Sequence, residues 1–201
     1  MEKYVVSARK YRPTKFDDVI GQNHVTTTLK NAIKNNKVAQ SLLFCGPRGV
    51  GKTTCARILA NEINEFNIND PLDSSNNLNI YELDAASNNS VDDIRSLIDQ
   101  VRYAPQAGKY KVYIIDEVHM LSNAAFNAFL KTLEEPPSYA IFILATTEKN
   151  KVIPTILSRC QIYDFNRIEI SDIKSKLIDI CLLYTSPSPR DQRGSGVAGW
   201  G

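Results

Sequence analysis

Histidine and cysteine are scarce in this chain of 201 residues, with two and four respectively. The cysteines, Cys45, Cys55, Cys160 and Cys181, are far apart and form no CxxC pair. That spacing excludes a disulfide scaffold and predicts reduced thiols, two of them in segments that read as buried. His24 and His119 have no companions at metal-ligand spacing, so a zinc site is not supported. No apolar run approaches the roughly 20 residues of a bilayer span. The opening MEKYVVSARK lacks the apolar stretch of a secretory leader, and a cytoplasmic protein is the expectation. A surplus of one charge is missing too: 24 basic residues face 22 acidic ones. This excludes a polybasic tail or an acidic arm. It leaves open a local basic strip on one face of the fold.

What is present is an alternation of strand-like and helix-like segments. Five short apolar runs, rich in β-branched and aromatic residues, read as buried strands: Ser41–Cys45, Asn79–Leu83, Lys111–Asp116, Ile141–Thr146 and Gln161–Phe165. Between them lie helical patterns. Ile94, Leu97, Ile98 and Val101 share one stripe, with Ser90 and Asp93 spaced as a capping box. Phe126, Phe129, Leu130 and Leu133 form a second stripe after Ser122, ended by Pro136 and Pro137. Asp17 to Lys34 predicts another helix with Val25, Leu29, Ala32 and Ile33 inward. Strands alternating with helices require crossovers, hence an α/β fold with a mainly parallel sheet covered on both faces. Asn61 to Asn79, crowded with Asn and Asp around Pro71, reads as a surface loop. Ser171 to Ile180 begins an amphipathic helix with Ile173, Leu177 and Ile180 on one side. From about Cys181 the periodicity is lost among Pro, Ser and Gly, which predicts disorder.

Two motifs carry chemistry. Gly46-Pro47-Arg48-Gly49-Val50-Gly51-Lys52-Thr53, followed by Thr54, fits GxxxxGK[ST] between a predicted strand and a predicted helix. Glycines let backbone N–H groups approach a phosphate chain, and the helix start adds unpaired donors and a positive dipole end. Lys52 is expected to neutralise the β- and γ-phosphates of ATP, and the Thr53 hydroxyl to hold Mg²⁺. The apolar strand Lys111–Asp116 ends in the pair Asp116-Glu117. Downstream of a phosphate loop, Asp116 suits Mg²⁺ through its water shell, and Glu117 suits a general base toward water. The strand ending in Thr146-Thr147 offers either threonine near a γ-phosphate. The alternative is that β-branched residues merely suit a strand end.

Taken with these motifs, IDEVHMLS, FNAFLKTLEEPP, ILATTE, ILSRCQ, ELDAASNNSVDDIR and the opening SARKYRPTKFDDVIGQNHV resemble the gamma/tau family of bacterial DNA polymerase III clamp-loader subunits. The resemblance runs from about Val5 to about Ile180. It implies an AAA+ P-loop NTPase domain over residues 1–166, with a parallel five-stranded sheet. The first helix of a truncated helical lid would follow at 167–180, then a tail at 181–201 foreign to the family. That tail raises the expectation of a truncated reading frame.

The resemblance further implies an ATPase that loads a sliding clamp on primed DNA, working in a hetero-pentameric ring beside other clamp-loader subunits. Arg159, in Ser158-Arg159-Cys160, would act in trans as an arginine finger. Ala8, Tyr11, Arg12, Pro13, Val19 and Ile20 would pack near the adenine, and Thr146 or Thr147 would sense the γ-phosphate. The family's four-cysteine zinc module has no counterpart in the shortened, cysteine-free stretch Asn61–Asn79. Ser87, Asn88 and Asn89 stand where the family approaches the DNA backbone. They could donate hydrogen bonds to phosphate or form an ordinary polar loop. A ring subunit that binds nucleotide without turnover, and another AAA+ DNA motor, are the competing readings.

Overall fold

The computed structural model describes residues 11–65, 79–105 and 108–185. Arg12–Arg167 form one compact unit, and Tyr11 and the residues from Ile168 onward belong to a second.

In the first unit five strands, β1 (Ser41–Cys45), β2 (Ile80–Asp84), β3 (Lys111–Asp116), β4 (Ala140–Thr146) and β5 (Gln161–Asp164), form one sheet in the order β2-β3-β4-β1-β5. Every pairing is parallel. Among the described residues of this unit the α-helices are α1 (Asn23–Lys34), α2 (Lys52–Asn64), α3 (Val91–Val101), α4 (Asn123–Glu134) and α5 (Pro154–Leu157).

The central strands are apolar on both faces because helices cover both. Along β1, Leu42 and Phe44 face one core with Val25, Leu29, Ile58 and Leu59, while Leu43 faces the other. Along β3, Val112 and Ile114 share the first core, and Tyr113 and Ile115 pack with Ile94, Leu97, Phe126 and Phe129. In the second core Tyr81 stacks on Tyr113 at 5.0 Å, Tyr113 on Phe142 at 5.4 Å, and Phe129 meets Phe142 edge-on at 5.2 Å. Each large buried side chain of this kind stabilises the fold by about 1.5–3 kcal/mol.

Local sequence sets the helix ends. Ser90 Oγ accepts from the Asp93 N–H at 3.2 Å, and Asp93 accepts from the Ser90 N–H at 3.2 Å, closing the expected capping box of α3. Ser122 caps α4 by accepting from the Ala125 N–H at 3.2 Å. Such caps contribute about 1 kcal/mol each.

The expected helix from Asp17 to Lys34 is instead two pieces. Phe16–Asp18 is a single 3-10 turn, and α1 starts only at Asn23. Gly21 at φ 70° breaks the helical path between them. The Gln22 side chain, fully buried, is paired with the backbone of Asn166 in both directions, at 2.7 and 3.1 Å. The expected loop from Asn61 is also corrected, since α2 continues to Asn64. There Asn64 Oδ1 accepts from the Lys109 and Tyr110 N–H groups at 3.0 and 2.8 Å. The polar Asn that reads as a loop signal thus serves as a tertiary bridge; 66–78 lie outside the described residues.

In the second unit, helix α6 (Ile170–Thr185) carries the segment past Cys181, where loss of periodicity predicted disorder. Its residues Cys181-Leu182-Leu183-Tyr184 are acceptable helix formers in an ongoing helix. Ile173 and Leu177 on this helix are exposed. Among the described residues, no helix is long and apolar enough to cross a membrane.

Candidate nucleotide site

A parallel sheet brings the carboxyl ends of all its strands to one edge. Register places Cys45 beside both Thr146 and Asp164, and Asp84 beside Asp116. Open α/β sheets bind ligands outside that edge. A cavity of about 450 Å³ opens there, lined by Arg48, Gly49, Gly51, Lys52, Thr53 and Thr54 from the phosphate loop and by Asp116 and Glu117 from β3. Arg12 and Asp84 complete the lining.

The loop between β1 and α2 owes its path to its glycines. Gly46 has φ 152°, and a Cβ there would sit 2.5 Å from the Phe165 carbonyl oxygen. Only glycine lets the loop leave β1 so close to the chain after β5. Gly51, at φ 99°, stands at the N-cap of α2, and no side chain caps that helix start. The first-turn N–H groups of α2 thus face the cavity end of the helix, where an anion is favoured.

Lys52 is buried, with its ammonium donating to the Gly46 and Pro47 carbonyls at 2.7 and 2.8 Å. Burial pulls its pKa below the usual lysine value, while the Glu117 and Asp116 carboxylates oppose the fall. Thr53 Oγ1 donates to Asp116 Oδ2 at 2.5 Å. Hydroxyl and carboxylate, from α2 and β3, therefore converge on one point. This is the hard-oxygen chemistry that suits Mg²⁺. The residues present fit a Mg²⁺–phosphate group, with Thr53 and Asp116 placed to hold the ion. Among the described residues, no cluster of three or more His, Cys, Asp and Glu could hold a metal ion.

Glu117 turns the chain out of β3 in a left-handed conformation, φ 48° and ψ 43°. For a residue with a Cβ this costs about 1–2 kcal/mol. Its N–H donates to Asp116 Oδ1 at 2.9 Å, and its carboxylate accepts from the Thr147 hydroxyl at 2.9 Å and the Thr147 N–H at 3.3 Å. His119 Nδ1 lies 3.3 Å from the same carboxylate oxygen and 3.1 Å from Thr146 Oγ1. Its Nε2 is 3.4 Å from Glu148. Thr146, fully buried, also accepts from the Glu148 N–H at 3.0 Å. The two threonines are therefore not equivalent. Thr147 grips the Glu117 carboxylate, and Thr146 anchors the histidine.

The remaining site residues divide. Arg12 lines the cavity, and Val19 is buried 3.9 Å from where a Gly51 Cβ would stand. Pro13 and Ile20 are half-buried and do not line the cavity. Pro47 and Val50 shape the loop, Val50 as a buried core residue, and also lie outside the cavity lining. Tyr11 belongs to the second unit, and Ala8 lies outside the described residues. Arg159 is absent from the lining; its guanidinium instead contacts Glu134 at 2.5 Å. Sequence reasoning missed His119 and Asp84 as members of the site. The signal for Asp84 was a second strand ending in Asp, which parallel register brings beside Asp116.

A parallel sheet of this order, a glycine-shaped loop capping a helix, and a strand-end acidic pair define a P-loop nucleotide-binding domain of the AAA+ class. Solved structures agree on the fold. The Holliday junction branch migration motor RuvB of Thermotoga maritima superposes with a TM-score of 0.63 at 24% identity, over 84% of this chain and 55% of that one. A DNA polymerase III gamma subunit-related protein from the same organism gives 0.59 at 25% identity, over 77% and 49%.

The family model described as DNA polymerase III, delta subunit, matches residues 21–169. The chain belongs to this family of DNA polymerase III subunits. Curated relatives are likewise DNA polymerase III subunits: the tau subunit of Bacillus subtilis (strain 168) is 49% identical over 185 residues, 87% of this chain and 33% of its own length. The tau subunit of Escherichia coli (strain K12) is 45% identical over 87% of this chain and 29% of its own. The chain thus spans about a third of the length of these relatives.

Proposed function

We propose that this chain is the ATPase module of a gamma/tau-type clamp-loader subunit, which binds and hydrolyses ATP to load a sliding clamp on primed DNA. The observation that carries the reading is the convergence of Lys52, Thr53, Asp116 and Glu117 on one cavity at the carboxyl edge of the sheet. In this reading the loop N–H groups and Lys52 hold the triphosphate of ATP, and Thr53 with Asp116 holds Mg²⁺. The ion supplies charge neutralisation at the phosphate oxygens. Glu117 accepts the proton of the attacking water. Thr147, by its grip on the Glu117 carboxylate, sets when that base is available and reports the γ-phosphate; His119, anchored by Thr146, braces the same carboxylate. Arg12 and Val19 border the nucleotide, with Pro13 and Ile20 toward its adenine end; Ala8 and Tyr11 are assigned to the adenine by the family resemblance alone.

Arg159 is read as a finger for the site of an adjacent subunit, within a hetero-pentameric ring that also engages the clamp and primer–template DNA. The finger reading agrees with its absence from this chain's own cavity. Helix α6 then begins the helical lid, and the setting is the replicating chromosome in the cytoplasm. Purified chain assembled with partner subunits tests this. ATP turnover should rise when clamp and primed DNA are added together. Equal rates with and without them would refute the clamp-loader role, and leave a nucleotide-binding ring subunit or another AAA+ motor as the reading.

A further inference from the structure

The last turn of α4 and the residues after α5 meet at a polar corner away from the cavity lining. Arg159 is two-thirds buried there, and its terminal nitrogens are held on three sides. Nη2 donates to Glu134 Oε1 at 2.5 Å. Nη1 donates to the Thr155 carbonyl at 2.7 Å and lies 3.4 Å from Ser158 Oγ. Arginine side chains lose substantial rotamer freedom when fixed, so a guanidinium left to solvent samples many positions. This one is fixed before any partner arrives. Of its five N–H donors, three are engaged by Glu134, Thr155 and Ser158. The Nε edge of the fork makes no hydrogen bond to the described residues, so it can meet an outside anion while the brace stays in place.

Glu134 is itself fixed by sequence. It is the last residue of α4, just before Glu135 and the proline pair Pro136-Pro137 that ends the helix. The stripe Phe126, Phe129 and Leu133 pins that helix to the sheet. A carboxylate on the final turn of a well-packed helix is a rigid mount, unlike one on a loop. It is also in an electrostatically unfavourable place, near the negative end of the helix dipole, which the Arg159 cation offsets.

We propose that Glu134 is a positioning residue for Arg159: it fixes the guanidinium in one orientation, so that the finger meets a γ-phosphate of an adjacent subunit already ordered. The inference rests on the finger reading given above. A finger acts on charge that develops in the transition state, so loss of its positioning lowers kcat more than it raises KM.

The test uses the full chain assembled with its partner subunits, carrying Glu134→Gln, Glu134→Asp, Arg159→Ala, or Glu134→Gln with Arg159→Ala. Glu134 is half-exposed and glutamine is isosteric, so the fold tolerates the change. Arg159→Ala should lower kcat by about 1,000-fold or more. Glu134→Gln should lower kcat by roughly 10-fold with KM within about twofold, and Glu134→Asp should recover part of the loss. The double variant should match Arg159→Ala alone, because Glu134 acts only through the arginine. ATP affinity of the variant chain's own cavity should not move. A neutral Glu134→Gln, or losses that add in the double variant, would overturn the positioning role while leaving the finger intact. A neutral Arg159→Ala would overturn the finger reading and the positioning role together.

Discussion

The cavity and the Arg159 corner are both polar sites at the rim of one sheet, yet they are built in opposite ways. In the cavity the functional groups turn inward on one another: Lys52 to its own loop, Thr53 to Asp116, and Glu117 to Thr147 and His119. The residues that line the cavity all come from this chain. At the corner a single cation is braced from behind by Glu134 and the Thr155 carbonyl, with nothing of the cavity around it. In the finger reading proposed above, this brace prepares a cation for the site of an adjacent subunit. Binding should therefore be a property of one chain, and fast turnover a property of two.

That contrast can be broken most forcefully at Glu117. Glu117→Gln removes the proposed base but no proposed phosphate contact, so turnover by the assembled subunits should fall about 100-fold or more while ATP affinity stays unchanged. A fall in affinity of similar size would show that the cavity does not separate binding from chemistry as described. Thiol chemistry gauges how tightly the same region is packed. Burial pushes Cys45 up to about 11 and Cys55 up to about 12. A raised pKa means less thiolate at a given pH, so at pH 8 alkylation of these two should run about 100-fold or more slower than in the urea-unfolded chain. Rates within a few-fold of the unfolded chain would mean that the core beside the phosphate loop opens readily. Gly46→Ala is the smallest of these perturbations. The added Cβ meets the Phe165 backbone at 2.5 Å and should cost about 1–3 kcal/mol in urea denaturation. The Arg159 corner, which does not touch Gly46, should keep its Glu134 pairing.

Much of this was legible in the sequence because the informative residues obey strong local rules. Leu42, Leu43 and Phe44, a short apolar run, read as a strand buried on both faces, and GxxxxGK[ST] after it reads as a loop leading into a helix, and both are found. The Ser90–Asp93 box was readable from spacing alone. What escaped depends on register and on tertiary partners. Asp84 enters the cavity because β2 pairs with β3 in parallel, a fact that no local pattern encodes. The division of labour between Thr146 and Thr147 follows from the alternation of a strand at its very end, where one side chain is buried and the next faces Glu117. Gly21 split the helix expected over Asp17 to Lys34. Asn64, read as loop-forming, found two backbone donors 45 and 46 residues away. The pairing of Arg159 with Glu134 joins two motifs that the sequence displays separately.

The most direct test of the account is a titration of the purified chain, alone, with a fluorescent ATP analogue in the presence of Mg²⁺, beside Lys52→Ala. Loss of a charge-assisted phosphate contact is worth about 1.5–3 kcal/mol, or roughly 10- to 100-fold in affinity. The account predicts saturable, Mg²⁺-dependent binding by the parent chain and weakening by at least that factor in Lys52→Ala. Equal affinity in both, or no binding by a folded parent chain, would contradict the claim that one chain carries a complete phosphate site.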